Sequence, residues 1–125
     1  MKNIKQTTLA NGLRVVTDTI SHVESVTMGM WVDVGTRDED PAINGAAHML
    51  EHMAFKGTTR RSAKQIAEEV EAVGGDINAY TSMETTAYHM RILKNDLPLA
   101  VDILGDILQN STFDAQEFAK EQSVV

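Results

Sequence analysis

The 125-residue sequence contains no cysteine, which excludes disulfides, iron–sulfur clusters, thiolate metal sites and a cysteine nucleophile. Basic residues are also few: eleven Lys and Arg against eighteen Asp and Glu leave a formal net charge of -7, so nucleic acid and membrane surfaces are not expected partners. No apolar run is long enough for a signal peptide or a bilayer span. With 42% hydrophobic residues, the chain can bury one core and form at most one globular domain.

Turn residues and hydrophobic periodicity predict an α+β fold. Strands are predicted over residues 4–18, 25–33, 76–81 and 85–93, the first of these being a hairpin that turns at Asn11-Gly12. Helices are predicted over residues 45–54, 62–73 and 95–110, and from Asp114 onward. We expect one mainly antiparallel sheet with the helices packed on one side, and both faces of the 25–33 strand largely covered. Asn44 is the expected N-cap of the first helix, and Ser62 with Gln65 forms a capping box.

The last predicted helix begins clearly and has no stop signal. Asp114 is its N-cap and Glu117 follows three residues later, but neither glycine nor a cationic last turn precedes the final two apolar residues. We therefore expect residues 1–125 to be the N-terminal part of a longer domain, ending inside a helix.

The candidate functional side chains lie in the first predicted helix, at His48, Glu51 and His52. At 100° per residue these side chains share one face of a helix that is otherwise rich in Ala, Leu and Met. Two imidazoles four residues apart can both bind one Zn²⁺ at about 2.0–2.1 Å, and the carboxylate can hydrogen-bond a water on the metal. The glutamate precedes the second histidine, which is the inverted zinc-peptidase spacing. A solvated helix face is the alternative, and metal explains better why three ionisable groups lie among apolar neighbours.

Several separated motifs resemble one protein family. They are ANGLRVVTD, WVDVGTRDE, HMLEHMAFKGT, RRSAKQI and EAVGGDINAYTSMETTAYH, in this order. Together they resemble the N-terminal catalytic domain of the zinc peptidases related to pitrilysin, insulin-degrading enzyme and mitochondrial processing peptidase, and bacterial processing-peptidase-like members most of all. The resemblance covers essentially the whole chain.

The resemblance implies a role for each residue of the helix motif. His48 and His52 would be zinc ligands, and Glu51 would be the general base that activates the zinc-bound water. Glu121 matches a supporting acidic residue on the helix that supplies the third ligand. That ligand, a glutamate, is expected about three residues after Val125.

The resemblance also implies a substrate-binding strand. Residues 75–81 would form an edge strand along which an extended peptide lies, with Asn78, Ala79 and Tyr80 at the cleft. Strand addition binds peptides largely through their backbone, so an extended peptide or protein is the expected substrate. The other expected partners are the remainder of the same chain and, as a second candidate, a homologous subunit; neither nucleic acid nor membrane is expected.

These implications predict a zinc-dependent metalloendopeptidase. We expect the 125-residue chain alone to be inactive, because the third ligand and the downstream groups that stabilise the oxyanion are absent from it. One alternative is a non-catalytic homologous subunit that binds extended peptides, although such partners usually lack the intact set of His48, Glu51 and His52. Another is a zinc-binding or histidine-rich interaction module without hydrolysis. The chain begins almost at the first strand, which favours the bacterial cytoplasm over a mitochondrial matrix.

Overall fold

The computed structural model describes residues 3–123. The strands are β1 (Ile4–Thr8), β2 (Arg14–Asp18), β3 (Ser25–Val32), β4 (Asp76–Thr81) and β5 (Thr86–Leu93). The α-helices are α1 (Ala46–Ala54), α2 (Ala63–Ala72), α3 (Leu97–Asn110) and α4 (Ala115–Gln122). Short 3₁₀ turns occur at Thr36–Asp38, Pro41–Ile43 and Lys94–Asp96. Within residues 3–123, no helix has both the length and the apolar character that a membrane crossing requires.

The predicted α+β class is confirmed, with an antiparallel sheet in the strand order β3-β5-β4. The central strand β5 turns Tyr88, Met90 and Ile92 toward the helices, where they join one buried core with Ile103 and Leu104 of α3. The helices therefore cover one face of this sheet, as expected. On the other face Ala87 is buried because it lies between the larger side chains of its cross-strand neighbours on β3 and β4.

The prediction that all strands belong to one sheet is wrong. β1 and β2 form a separate two-stranded ribbon, closed by a turn in which Gly12 has a φ of +91°. Every residue of the two strands is exposed. In residues 3–123 the two strands pair only with each other, because the connection after Asp18 leads β3 away to pair with β5.

The prediction that both faces of β3 are largely covered is also wrong. Met28 and Met30 pack against the core, whereas Trp31 on the opposite face is 60% exposed. Its indole lies across Gly29, where any side chain would overlap the ring. Covering this face would take a second layer of structure, and the part of the chain described here places its helices on the opposite side.

The N-terminus of α1 is capped differently from the prediction. Asn44 is not the N-cap: that position is taken by Gly45, whose φ is +88°. The 3₁₀ turn before it brings Glu39 back to the helix, where its carboxylate accepts hydrogen bonds from the N–H of Gly45 (2.5 Å) and of Ala47 (3.2 Å). A carboxylate here also complements the positive end of the helix dipole.

Of the other three predicted helix starts, two are confirmed, whereas the helix predicted from residue 95 begins at Leu97 because a 3₁₀ turn over Lys94–Asp96 precedes it. Ser62 and Gln65 form the reciprocal capping box of α2, and Asp114 accepts the first free N–H groups of α4. The predicted continuation of the last helix through Val125 lies outside the described residues.

Candidate metal centre

Helix α1 brings the three polar side chains of its inverted motif together. The Nε2 atoms of His48 and His52 are 3.0 Å apart, and the two rings meet nearly at right angles. With a Glu51 carboxylate oxygen, their donor atoms all lie within 4.8 Å of one another. The arrangement follows from helical geometry, because residues three and four apart lie one turn above each other.

This donor set fits a zinc ion. Two nitrogen ligands bound tetrahedrally at about 2.0–2.1 Å lie roughly 3.3 Å apart, close to the 3.0 Å between Nε2 of His48 and Nε2 of His52. Imidazole nitrogen with carboxylate oxygen is a common zinc environment. A shift of a few tenths of an ångström in either ring would complete the fit.

Glu121 supports His52 from the far side of the ring. Its Oε2 lies 2.7 Å from Nδ1 of His52, and its Oε1 lies 3.0 Å from the ammonium of Lys56. The tautomer of His52 with its proton on Nδ1 donates to this carboxylate and leaves the Nε2 lone pair free for a metal. The hydrogen bond from His52, and then that from Lys56, holds the pKa of Glu121 below its usual range.

Glu51 is held by a residue that the sequence did not reveal. Its Oε2 accepts a hydrogen bond of 2.5 Å from the hydroxyl of Thr81, the last residue of β4. Alternation along β4 could have indicated this, because Thr81 shares the helix-facing side with Ile77 and Ala79. Behind Glu51, burial and then the charge of that carboxylate raise the pKa of Tyr88.

The strand β4 lies at one edge of the three-stranded sheet, beside α1. Two open clefts meet there, both bordered by Glu51 and Ala79. The first, of about 410 Å³, also includes His48 and Tyr80, and the second, of about 330 Å³, includes His52, Glu121 and Asn78. The structure thus brings all the sequence-predicted site residues within the described chain to one place.

A backbone bridge fastens the segment after α1 to the segment before α4. The N–H of Thr112 donates to the carbonyl of Gly57 (3.1 Å), and the N–H of Thr59 donates to the carbonyl of Asn110 (3.0 Å). Because this bridge begins three residues after α1 ends, it helps to hold α4, and with it Glu121, against His52.

A buried ionic cluster lies behind this bridge, centred on Asp106. The Asp106 side chain is fully buried and accepts hydrogen bonds from Thr58 (2.7 Å), Arg61 (3.0 Å) and Asn110 (2.8 Å). Burial alone would raise the pKa of Asp106, but these donors lower it. For Arg61 the effects are reversed. Burial alone would lower its pKa, but its hydrogen bonds to the carboxylates of Asp102, Asp106 and Glu69 raise it.

Comparison with known proteins gives a consistent result. The chain matches the model of the insulinase family, peptidase family M16, over residues 14–125. It is 48% identical over 122 residues to an uncharacterized zinc protease of Streptomyces coelicolor, covering 98% of this chain and 27% of that protein. It is 48% identical over 119 residues to a probable mitochondrial-processing peptidase subunit beta of Arabidopsis thaliana, covering 95% and 22%.

A comparison of three-dimensional structures also finds a protease. A protease from Helicobacter pylori has a crystal structure that superposes with a TM-score of 0.92 at 30% identity, over 97% of this chain and 29% of that one. The chain spans about a quarter of the length of the curated relatives it matches.

Proposed function

This chain belongs to the insulinase family, peptidase family M16, and on that premise we propose that the protein containing it is a zinc-dependent metalloendopeptidase. The observation that carries the proposal is the convergence of His48, Glu51 and His52 beside an open sheet edge. His48 and His52 would hold the zinc ion, and the third ligand is expected just after Val125. Glu121 would act as the supporting residue that orients His52.

The chain's own groups account for the proton transfers of peptide hydrolysis. When bound, Zn²⁺ supplies Lewis-acid chemistry, which lowers the pKa of water and polarises a carbonyl. Glu51 accepts the proton of the attacking water and then passes it to the nitrogen of the leaving amine. Glu51 can perform both steps because its carboxylate lies beside the two histidines and borders the cleft along β4 in which the substrate would bind.

The substrate in this proposal is an extended peptide or protein segment that adds to the free edge of β4. The backbone groups of this edge would bind the peptide, and Asn78, Ala79 and Tyr80 would contact its side chains. The two clefts support this placement because both are bordered by Glu51 and by residues of β4. A homologous subunit remains a second proposed partner.

The test is hydrolysis of an unstructured fluorogenic peptide by the full-length protein. We expect zinc-dependent cleavage that a chelator abolishes and that Glu51→Gln lowers by at least about 10²-fold. The matched control is Glu68→Gln, the same substitution at an exposed glutamate of α2, which should leave the rate unchanged. The 125-residue chain alone should show no cleavage.

Two results would contradict the proposal. Cleavage that survives Glu51→Gln would exclude the assigned general base. Binding of the peptide without any cleavage by the zinc-loaded, full-length protein would instead support the alternative, a non-catalytic homologous subunit that binds extended peptides.

A further inference from the structure

We infer that Thr81 is a positioning residue: its hydroxyl holds one oxygen of Glu51, so that the other oxygen alone takes the proton during hydrolysis. This inference rests on the proposed function, because it assigns Glu51 the role of general base. It adds a residue that neither the motif nor the metal-ligand pattern includes.

The donor is fixed by the sheet. Thr81 pairs with Thr86 of β5, and the alternation of β4 directs the Thr81 side chain toward α1. A β-branched side chain has few rotamers, so a fixed backbone also fixes the hydroxyl oxygen. The resulting hydrogen bond from Thr81 Oγ1 to Glu51 Oε2 is 2.5 Å long, in the short range typical of a hydroxyl donating to a carboxylate.

The hydrogen bond makes the two carboxylate oxygens of Glu51 unequal. Oε2 already accepts the Thr81 hydroxyl, and within residues 3–123 no further hydrogen bond to the Glu51 carboxylate is found. The proton released by water therefore forms its new O–H bond on Oε1. It leaves Oε1 for the amine nitrogen as the peptide C–N bond breaks, and Thr81 keeps its own proton throughout.

The same strand also carries the proposed peptide contacts. Thr81 directly follows Tyr80, and Ala79 lies on the same helix-facing side of β4. The strand β4 would therefore position both the bound peptide and the carboxylate of Glu51 that acts on it. Such alignment matters because catalysis depends on holding the reacting groups near their productive geometry.

The experiment compares two threonine substitutions in the full-length protein. Thr81→Val keeps the shape and strand preference but removes the hydroxyl, whereas Thr81→Ser keeps the hydroxyl. We expect Thr81→Val to lower kcat about 10-fold or more, with KM and the zinc Kd within twofold of wild type. Thr81→Ser should keep kcat within about threefold of the wild-type value. Thr27→Val, at an exposed threonine of β3, is the matched control and should leave kcat unchanged.

Zinc titration by calorimetry and thermal unfolding of the zinc-free variants separate positioning from a structural role. Unchanged zinc affinity and unfolding temperature, together with the loss of kcat in Thr81→Val, support the inference. Two results would overturn the inference: a kcat within twofold of wild type in Thr81→Val, or equal losses of kcat in Thr81→Val and Thr81→Ser. The proposed function would still stand in either case, provided that Glu51→Gln is inactive. Full activity of Glu51→Gln would overturn the proposed function and this inference together.

Discussion

Replacing Asp106 by asparagine should destabilise the chain far more than the same change one turn earlier on α3, at Asp102. Both carboxylates bind Arg61, but the Asp106 side chain is fully buried whereas that of Asp102 is 42% exposed. An asparagine side chain would keep the shape of the aspartate and remove its charge. The comparison therefore contrasts a buried carboxylate partner of Arg61 with a partly exposed one.

The magnitude follows from what the substitution leaves behind. Breaking a buried pair typically costs about 3–5 kcal/mol, because the remaining charge stays desolvated without its partner. Arg61 would retain Asp102 and Glu69, which lowers the expected loss. The amide also brings an N–H₂ group to a site whose neighbours, Thr58 among them, all donate. We expect a loss of about 2–4 kcal/mol for Asp106→Asn.

Urea unfolding of the 125-residue chain, followed by circular dichroism, measures this loss as a change in the free energy of unfolding. Asp102→Asn serves as the control and should lose much less, since exposed ion pairs contribute little. A loss for Asp102→Asn equal to or larger than that for Asp106→Asn would refute the reasoning from burial.

The pH dependence of the free energy of unfolding tests the role of Asp106 a second time. The pKa of Asp106 is lower in the folded chain than in the unfolded chain, so its charge stabilises the fold above the unfolded value of about 4. This contribution is lost as the pH falls through the folded value. The difference in stability between wild type and Asp106→Asn should therefore narrow below about pH 4, and a constant difference down to about pH 2 would contradict the assignment.

Three further predictions concern the metal site and the frame around it. Glu121→Gln should weaken zinc binding by the full-length protein about 10- to 100-fold in calorimetry, because it weakens the group that orients His52; an unchanged Kd would exclude that role. Glu39→Ala should lower the free energy of unfolding by about 1 kcal/mol through loss of the α1 cap, and no change in urea would show that water replaces it. Gly35→Ala should cost about 1–3 kcal/mol because a Cβ would overlap the backbone of the β4–β5 turn. Gly105→Ala on α3, where a Cβ would make only an ordinary contact with Gln109, should instead stabilise the chain by about 0.5–1 kcal/mol.

Local signals in the sequence were sufficient for much of the fold. The Ser62–Gln65 capping box, the Asp114 N-cap and the alternation of β5 each depend on residues a few positions apart. The motif His48, Glu51 and His52 is local in the same sense, because one helix determines the relative placement of its members. Such features are independent of how distant segments pair.

Periodicity and local motifs could not supply the features that depend on contacts between separate segments. Glu39 replaces Asn44 at the helix start because an intervening 3₁₀ turn returns it there, which no propensity of either residue encodes. Thr81 reaches Glu51 across 30 positions, and Glu121 reaches His52 across 69. The resemblance supplied Glu121 but not the contact of Thr81. Alternation places the Thr81 side chain on the helix-facing side of β4, and the assembled sheet and helix bring its hydroxyl to Glu51.

The separate β1–β2 ribbon has a consequence for how the chain opens. An isolated two-stranded hairpin is only marginally stable, and in the described part of the chain the strands of this ribbon pair only with each other. Its amide protons should exchange with solvent deuterium through local opening, while those of β5, bonded on both sides and buried, exchange only when the whole core unfolds. We therefore expect the ribbon and the core around β5 to behave as two cooperative units of unequal stability within one chain.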